Sequence, residues 1–403
     1  MSKINKSIDK FEVCIVGGFG HVGLPLSMSF ASKGITTCAF DISEATYKIV
    51  SKGKMPFMEE GGEQLLEKTI KSGMLTLSTN PDNISESKNV IVVIGTPIDM
   101  HLNPESVVEE FFESYIKYIK DGQLIVLRST VHPGTTEKIH RLLTSKGKKV
   151  DVAFCAERII QGSSIKEITE LPQIISSTTK KGEERAVALF SNISKEIIRL
   201  SPKEAELAKL FTNSWRYIKF AAANQFFIIA NEAGVDFYKI YNAMTYNYPR
   251  AKDLPTAGFA SGPCLFKDTA HLNSFSNSNF HMGASATQIN EGLPAYIVSK
   301  IKKRYDLSKK NVGILGLAFK SDNDDKRDSL SYNLIKFLKF DAKHLYYSDP
   351  YVEQEGKIAA EKLIKESDII ILATPHKQYK NLKIGKDKIV IDIWNFYKSG
   401  AKI

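Results

Sequence analysis

VCIVGGFGHVGLPLSMSFASKG, residues Val13 to Gly34, is the stretch on which the fold turns. Val13–Val16 is a short apolar run of strand length, and Leu24–Lys33 has the composition of a helix that follows it. Between them Gly18, Gly20 and Gly23 stand in the spacing GxGxxG. The first glycine permits a tight turn, the second lets backbone approach a pyrophosphate, and the third allows close packing of helix on sheet. Phe19, His21 and Val22 fill the turn, His21 as a neighbour of the pyrophosphate rather than as an acid or base. Asp41 ends the next apolar run, 23 residues after Gly18. A carboxylate there can accept a ribose 2′-hydroxyl and repel a 2′-phosphate, so NAD is expected rather than NADP. A glycine-rich turn alone often serves structure only. Strand, spacing, helix and acid together point to a dinucleotide.

Outward from this unit, short apolar runs keep alternating with amphipathic ones, the pattern of βαβ units around a parallel sheet. Strands are expected at Thr37–Phe40, Val90–Ile94, Leu124–Leu127, Val152–Phe154, Gln173–Ser176 and Glu196–Leu200. Turn residues follow several of them: Asp41-Ile-Ser, Gly95-Thr-Pro97 and Ser129-Thr-Val-His-Pro-Gly134. From Ser201 the pattern becomes one long helix, with Ser201 as N-cap, Pro202 in the first turn and Gly234 as stop. Its length suits a spine between domains and a dimer contact. A mostly helical middle is broken by the Gly/Pro-rich loop Pro249–Pro263. Alternation resumes at Val312–Leu315, His344–Tyr347, Ile369–Leu372 and Ile389–Ile393, a second and smaller sheet. Gly313, Gly316 and Ala318 echo the first turn without completing GxGxxG, so this sheet's ligand need not be a dinucleotide. The expected fold class is α/β, with two Rossmann-like doubly wound domains joined by a long central helix and a helical dimerisation region.

The whole sequence of 403 residues is long enough for two or three domains, and 43% hydrophobic with 25% charged residues is a globular composition. The longest apolar runs, such as Val90–Gly95 and Ile369–Ala373, fall far short of the ~20 residues of a membrane helix. Met1–Lys10 is polar, lacks the apolar core of a secretion signal, and is expected to be a loose extension. A net charge of +10 raises the question of nucleic acid, but the lysines are scattered. Their densest run, Lys300–Lys310, reads as a solvated helix end and linker, so neither nucleic acid nor membrane is expected as a partner. The positive field suits an anionic substrate. Cys14, Cys38, Cys155 and Cys264 lie far apart, in neither a zinc nor a disulfide pattern, which fits a reduced, cytoplasmic setting.

Two further clusters carry chemistry. Lys209 and Asn213, spaced i and i+4, project from one face of the long helix. The loop Gly258-Phe-Ala-Ser-Gly262-Pro-Cys264-Leu-Phe-Lys-Asp268 brings a cysteine into a glycine/proline setting with a carboxylate four residues on. A free cysteine is usually a small buried hydrophobe. A reactive one needs an accessible, electropositive site, which this loop offers. Cys14, Cys38 and Cys155, in or beside strands, read as inert, and Trp215, Phe220, Phe226 and Phe227 as core or dimer contacts.

Gly18-Phe-Gly-His-Val-Gly23, Gly95-Thr-Pro97, Ser129-Thr130, Glu157-Arg158, Lys209-Leu-Phe-Thr-Asn213, Gly262-Pro-Cys264-Leu-Phe-Lys-Asp268 and Gly316-Leu-Ala-Phe-Lys320 together resemble the UDP-glucose/GDP-mannose dehydrogenase family. The motifs keep family order from about Phe11 to Trp394. The resemblance implies an extension over 1–10, an NAD-binding domain over 11–200, a central helical dimerisation domain over 201–303 and a UDP-sugar domain over 304–403. It implies that Gly95, Thr96, Pro97, Ser129 and Thr130 line the cofactor and that Arg327 reaches the bound nucleotides. Cys264 would be the nucleophile. Lys209, Asn213 and Asp268 would stabilise oxyanions or organise water, and Thr130 and Glu157 would handle protons at the sugar's C6. Arg158, Gly258, Gly262, Phe319 and Lys320 would surround the substrate, with Arg250 reaching it across a homodimer interface. The implied reaction takes a UDP-sugar to its uronate by two hydride transfers to NAD, with no metal.

Where UDP-glucose enzymes carry Pro-Glu-Phe-Leu-x-Glu, this chain reads Ala156-Glu157-Arg158-Ile-Ile-Gln161. That is closer to the branch that oxidises UDP-N-acetylhexosamines such as UDP-N-acetylmannosamine, although Phe266 and the Tyr246–Arg250 loop match neither branch fully. UDP-glucose stays open as the substrate. Two rival functions stay open as well: a two-electron alcohol or hydroxyacid dehydrogenase with a structural Cys264, and a non-catalytic nucleotide-sugar sensor.

Overall fold

The computed structural model describes residues 9–96 and 104–400. The expected N-terminal extension as far as residue 8, and Pro97, lie outside the described residues. Contacts divide the chain into two compact units, Met1–Leu210 and Phe211–Ile403.

The first unit is built on an eight-stranded sheet: β1 (Phe11–Val16), β2 (Thr37–Phe40), β3 (Leu75–Ser78), β4 (Ser87–Val92), β5 (Leu124–Leu127), β6 (Asp151–Cys155), β7 (Gln173–Ser177) and β8 (Ile197–Arg199). Their order is β3-β2-β1-β4-β5-β6-β7-β8. Successive residues of β1 serve opposite faces. Cys14 and Val16 join Phe40, Val92 and Leu127, while Val13 and Ile15 join Phe30, Ile91 and Phe190. Both faces are covered, so the strands read as unbroken apolar runs. The chain reverses between β1 and β4, which opens a crevice beyond the carboxyl ends of the strands.

Two features differ from the expectation. Leu75–Ser78 is a strand that periodicity misses, because it lies at the edge with one buried residue. Strand β7 pairs antiparallel with β6, Phe154 opposite Ser176, whereas the alternating pattern suggests parallel strands throughout. Strand direction depends on the connection, and here that connection carries only the short helix Ser164–Glu170.

The long helix runs Pro202–Glu232. Ser201 opens it, its N–H and hydroxyl both donating to Glu204, at 2.8 and 2.6 Å. Gly234 closes it at φ +71°, with the Val235 N–H reaching the Ala230 carbonyl at 2.9 Å. Leu210, Tyr217, Ala223 and Phe227 are buried, whereas Phe211, Trp215, Phe226 and Ile229 are exposed. Glu206, fully buried on this helix, accepts the Gly134 N–H at 2.6 Å and the Thr136 N–H and hydroxyl at 2.8 and 2.6 Å. It thereby caps the helix Thr135–Ser145, whose own N-cap position is a glycine.

The second unit packs helices Phe237–Thr245 and His281–Arg304 with a parallel sheet of β9 (Asn311–Leu315), β10 (His344–Ser348), β11 (Ile369–Leu372) and β12 (Ile389–Ile391), ordered β10-β9-β11-β12. Phe227, Phe237, Leu293, Ile297, Ile314, Leu334 and Ile371 share one core.

Glu206→Ala would leave two backbone N–H groups and a hydroxyl buried without an acceptor. A loss of about 3 kcal/mol is expected, read as a lowered urea midpoint, with Glu206→Gln costing less.

Candidate active site

The glycine turn after β1 is built by exclusion of side chains. A Cβ on Gly18 would lie 2.7 Å from Ala39 Cα, and one on Gly23 would lie 2.0 Å from the Gly17 carbonyl oxygen. Gly17, which the motif does not count, sits at φ +78° where a Cβ would meet the Val93 carbonyl at 2.3 Å. Its signal in the sequence is the doubled glycine alone. Helix Gly23–Ser32 follows directly, its N-terminus favouring an anion. Asp41 is half-buried and accepts the Phe19 and Ser43 N–H groups, both at 3.1 Å. A dinucleotide fits this cradle: bare backbone for pyrophosphate and a carboxylate for ribose. The His21 ring lies 4.1 Å from the Phe57 ring, centroid to centroid. The turns after β4 and β5 are tied together by Thr96 Oγ1 donating to the Thr130 carbonyl at 2.9 Å and Ser129 Oγ donating to the Ile94 carbonyl at 2.7 Å. Gly95 is exposed beside them.

Glu157 follows β6 and meets a residue that sequence reasoning missed. Arg128, directly after β5, is fully buried and donates from Nε to Glu157 Oε2 at 2.7 Å and from a terminal nitrogen to Gln173 Oε1 at 3.0 Å. Its guanidinium lies over the Phe190 ring, 5.1 Å from the centroid. Glu157 Oε1 accepts the Arg158 and Ile159 N–H groups at 2.7 and 2.9 Å. Arg158 turns back to donate to the Pro172 carbonyl, and burial pushes its pKa down against the pull of Glu157. The only sequence signal for Arg128 was a charge placed straight after Leu124–Leu127.

In the second unit, the exposed Cys264 is the N-cap residue of the helix Leu265–Phe275, where the helix dipole favours negative charge. Asp268, fully buried in the next turn, donates its N–H to the Cys264 carbonyl at 2.9 Å and accepts Asn213 Nδ2 at 2.5 Å. Lys209 stands one turn before Asn213 in the long helix. Gly258 is clamped on both backbone groups by Asn224, at 2.8 and 3.0 Å, and Asn224 is held in turn by Asn290 at 2.9 Å. Gly262 has φ +101°, and a Cβ there would stand 2.4 Å from the Phe319 ring. The Gly262 N–H donates to the Asp328 carbonyl at 3.1 Å, and Ser261 Oγ to the Phe319 carbonyl at 3.0 Å. The cysteine loop is thus joined to the loop bearing Phe319, Lys320 and Arg327. Arg327 binds Asp325 through two nitrogens, Nε at 2.9 Å and a terminal nitrogen at 2.6 Å, which holds it charged; Cys264 lies within its electrostatic reach. Arg250 is exposed, its guanidinium 4.4 Å from the centre of the Tyr248 ring.

The family models match the chain in three pieces: the NAD-binding domain over residues 11–194, the central domain over 203–292 and the UDP-binding domain over 313–399. A UDP-N-acetyl-D-mannosamine dehydrogenase of Methanococcus vannielii is 30% identical over 421 residues, covering 97% of this chain and 96% of that one. The chain belongs to the UDP-glucose/GDP-mannose dehydrogenase family. Another relative with the same name, from Pyrococcus horikoshii, is 29% identical over 94% of this chain and 95% of its own. The solved UDP-N-acetylmannosamine dehydrogenase from that organism superposes with a TM-score of 0.90 at 28% identity, over 96% of each chain. The chain is therefore an NAD-dependent UDP-sugar dehydrogenase, and NAD is its cofactor.

Among the described residues of this dehydrogenase no group of His, Cys, Asp and Glu is arranged to hold a metal ion, and no helix is long and apolar enough to cross a membrane. Its UDP-binding domain carries a buried carboxylate at Asp349. Burial alone would push that carboxyl up, but hydrogen bonds from His376 and from the Leu317 and Val352 N–H groups outweigh it and hold the pKa at about 2. Because the folded value lies below the unfolded one, the stability it confers is complete above roughly pH 5 and fades as pH falls through 2. Asp349→Asn is expected to flatten that acid limb, worth about 2 kcal/mol, in urea titrations between pH 5 and 2. Gly23→Ala is expected to weaken NADH binding by at least about tenfold in a fluorescence titration, because helix and turn must part to admit the methyl.

Proposed function

We propose that this enzyme oxidises the C6 hydroxyl of UDP-N-acetylmannosamine to the uronate, in a four-electron reaction with Cys264 as covalent catalyst. The observation that carries the reading is an exposed cysteine at a helix N-terminus, beside the Asn213–Asp268 pair. The Glu157-Arg158 pair in the sequence and the names of the relatives support the N-acetylated sugar.

NAD, when bound, takes up one hydride in each of two oxidations. Thr130 meets the C6 hydroxyl and relays its proton to water, and the Lys209 ammonium stabilises the alkoxide from which the first hydride leaves. Glu157 is read as the anchor of its turn, since Arg128 and two N–H groups occupy its oxygens. The Cys264 thiolate then adds to the aldehyde. The resulting thiohemiacetal loses its carbon-bound hydrogen as the second hydride, leaving a thioester. Water held by Asp268 and Asn213 attacks that carbonyl, and uronate leaves while Cys264 regains its proton. Arg158, Gly258, Gly262, Phe319 and Lys320 surround the substrate in this reading, with Arg327 at the nucleotides. The product suits a polysaccharide or glycan precursor pathway in the cytoplasm.

The reading includes a homodimer built on the long helix. Phe211, Trp215, Phe226 and Ile229 are exposed apolar residues spaced along it. Arg250, exposed and resting on Tyr248, would reach the partner's substrate.

With a panel of UDP-N-acetylmannosamine, UDP-N-acetylglucosamine, UDP-glucose, UDP-galactose and GDP-mannose, two NADH per uronate are expected from the first. Cys264→Ser should lose uronate formation by about a thousandfold or more. One NADH per sugar with a fully active serine variant would instead identify a two-electron dehydrogenase. Trp215→Glu is expected to shift the protein toward monomer in light scattering behind a sizing column.

A further inference from the structure

The two sheets place a carboxylate in the same position and use it differently. Asp41 follows β2, the strand beside β1; Asp349 follows β10, the strand beside β9. Asp41 is half-buried and accepts two N–H groups. Asp349 is 4% exposed and takes five donors: the N–H groups of Leu317 (2.6 Å), Ala318 (3.0 Å), Tyr351 (2.8 Å) and Val352 (2.8 Å), and His376 Nε2 at 3.0 Å. Two carboxylate oxygens offer about four lone-pair sites. Asp349 therefore has no capacity left for a ribose, and the second sheet has turned its ribose-binding position inward.

His376 passes that anchorage on. It is fully buried between the edges of Tyr351 and Tyr379, with ring centroids at 5.2 and 5.4 Å. Nδ1 accepts the Asp322 N–H at 2.9 Å, so the ring proton belongs on Nε2, facing Asp349. Asp322 sits at φ +53°, a left-handed conformation that a non-glycine residue adopts only where its surroundings impose it. Its carboxylate returns the contact, accepting the Lys377 N–H at 2.9 Å and pairing with Lys377 Nζ at 3.3 Å. Thr374 Oγ1 closes the other side on the Ala318 carbonyl at 2.6 Å. The segment held this way, residues 318 to 328, carries Phe319, Lys320 and Arg327 and ends at Asp328, whose carbonyl receives the Gly262 N–H.

We propose that buried His376, seated against Asp349, is a positioning residue for the nucleotide sugar: its Nδ1, through the Asp322 N–H, sets the loop that presents Lys320 and Arg327 to the uridine diphosphate. This rests on the reading of Lys320 and Arg327 as nucleotide-sugar contacts. A buried polar pair that costs desolvation is explained when it specifies one geometry, and here that geometry belongs to the loop. His376 and Asp349 are positioning residues and touch no substrate.

Two substitutions separate the arms of the imidazole. His376→Gln can keep a donor where Nε2 stood but offers nothing to the Asp322 N–H. His376→Asn can keep an acceptor where Nδ1 stood and gives up the Asp349 contact. In the full-length protein, His376→Gln is expected to weaken UDP binding by calorimetry, and to raise KM for the UDP-sugar, by about tenfold, while kcat and the KM for NAD stay within about twofold. His376→Asn is expected to stay within about threefold of the parent for UDP. Should either histidine variant fail to fold, amide hydrogen exchange in the parent takes its place: the Asp322 N–H, bonded to His376 Nδ1, is expected to be protected, and free exchange there overturns the proposal. Parent-like UDP binding in a folded His376→Gln overturns the proposal, as does a joint fall in kcat and in affinity for both ligands. Asparagine as weak as glutamine would remove the Asp322 link and overturn it too. A parent enzyme that ignores UDP would instead overturn the reading of the loop itself.

Discussion

A parallel sheet covered on both faces has only its ends free for chemistry, and that constraint places nearly everything of interest in this molecule. Residues between the ends must be apolar on both sides, as the two clusters flanking β1 demonstrate. Polar residues therefore gather where strands stop. In the first unit these are the glycine turn after β1, Asp41 after β2, Thr96 past β4, Arg128 to Thr130 after β5 and Glu157 after β6. In the second they are Gly316 to Lys320 after β9, Asp349 after β10 and His376 beyond β11.

Crowding ionisable groups at strand ends requires that each be satisfied where water is scarce. Arg128 and Glu157 neutralise each other, and Asp349 is saturated by loop N–H groups and His376; Glu206, buried on the long helix instead, is satisfied as the cap of a neighbouring helix. These groups hold the turns in which other residues act. Cys264 differs from them in being exposed and in occupying a helix N-terminus. Its loop owes its shape to Gly258 and Gly262, each of which has an aromatic ring where a Cβ would be.

Local pattern carried much of this into the sequence. Buried parallel strands are continuous apolar runs, and the pyrophosphate turn needs its glycines at fixed spacing, so both sheets, the long helix and the nucleotide cradle were legible. Leu75–Ser78 was not, because an edge strand with one buried side chain leaves no periodic trace. The antiparallel β7 escaped because direction is a property of the connection rather than of the strand. Arg128, Glu206 and His376 escaped for a different reason. Their partners lie 29, 72 and 54 residues away, and nothing in their immediate neighbours announces the pairing. Residues whose duty is to meet a ligand sit in short motifs, whereas residues that hold those motifs still are joined to them only in space.

The same sheet that organises the cofactor turn also hides three of the four thiols. Cys14, Cys38 and Cys155 lie in β1, β2 and β6 with no exposed surface. The hydrogen bond to Cys38 and burial push the Cys14 thiol well above its ordinary value, and burial pushes Cys155 up to about 12. An electrophile selective for thiols, added to the folded protein, thus meets one accessible thiol, at Cys264. The β-sheet acts as a built-in protecting group, so a maleimide or iodoacetamide carrying a fluorophore would mark this chain at a single, chemically defined position without any cysteine having to be removed.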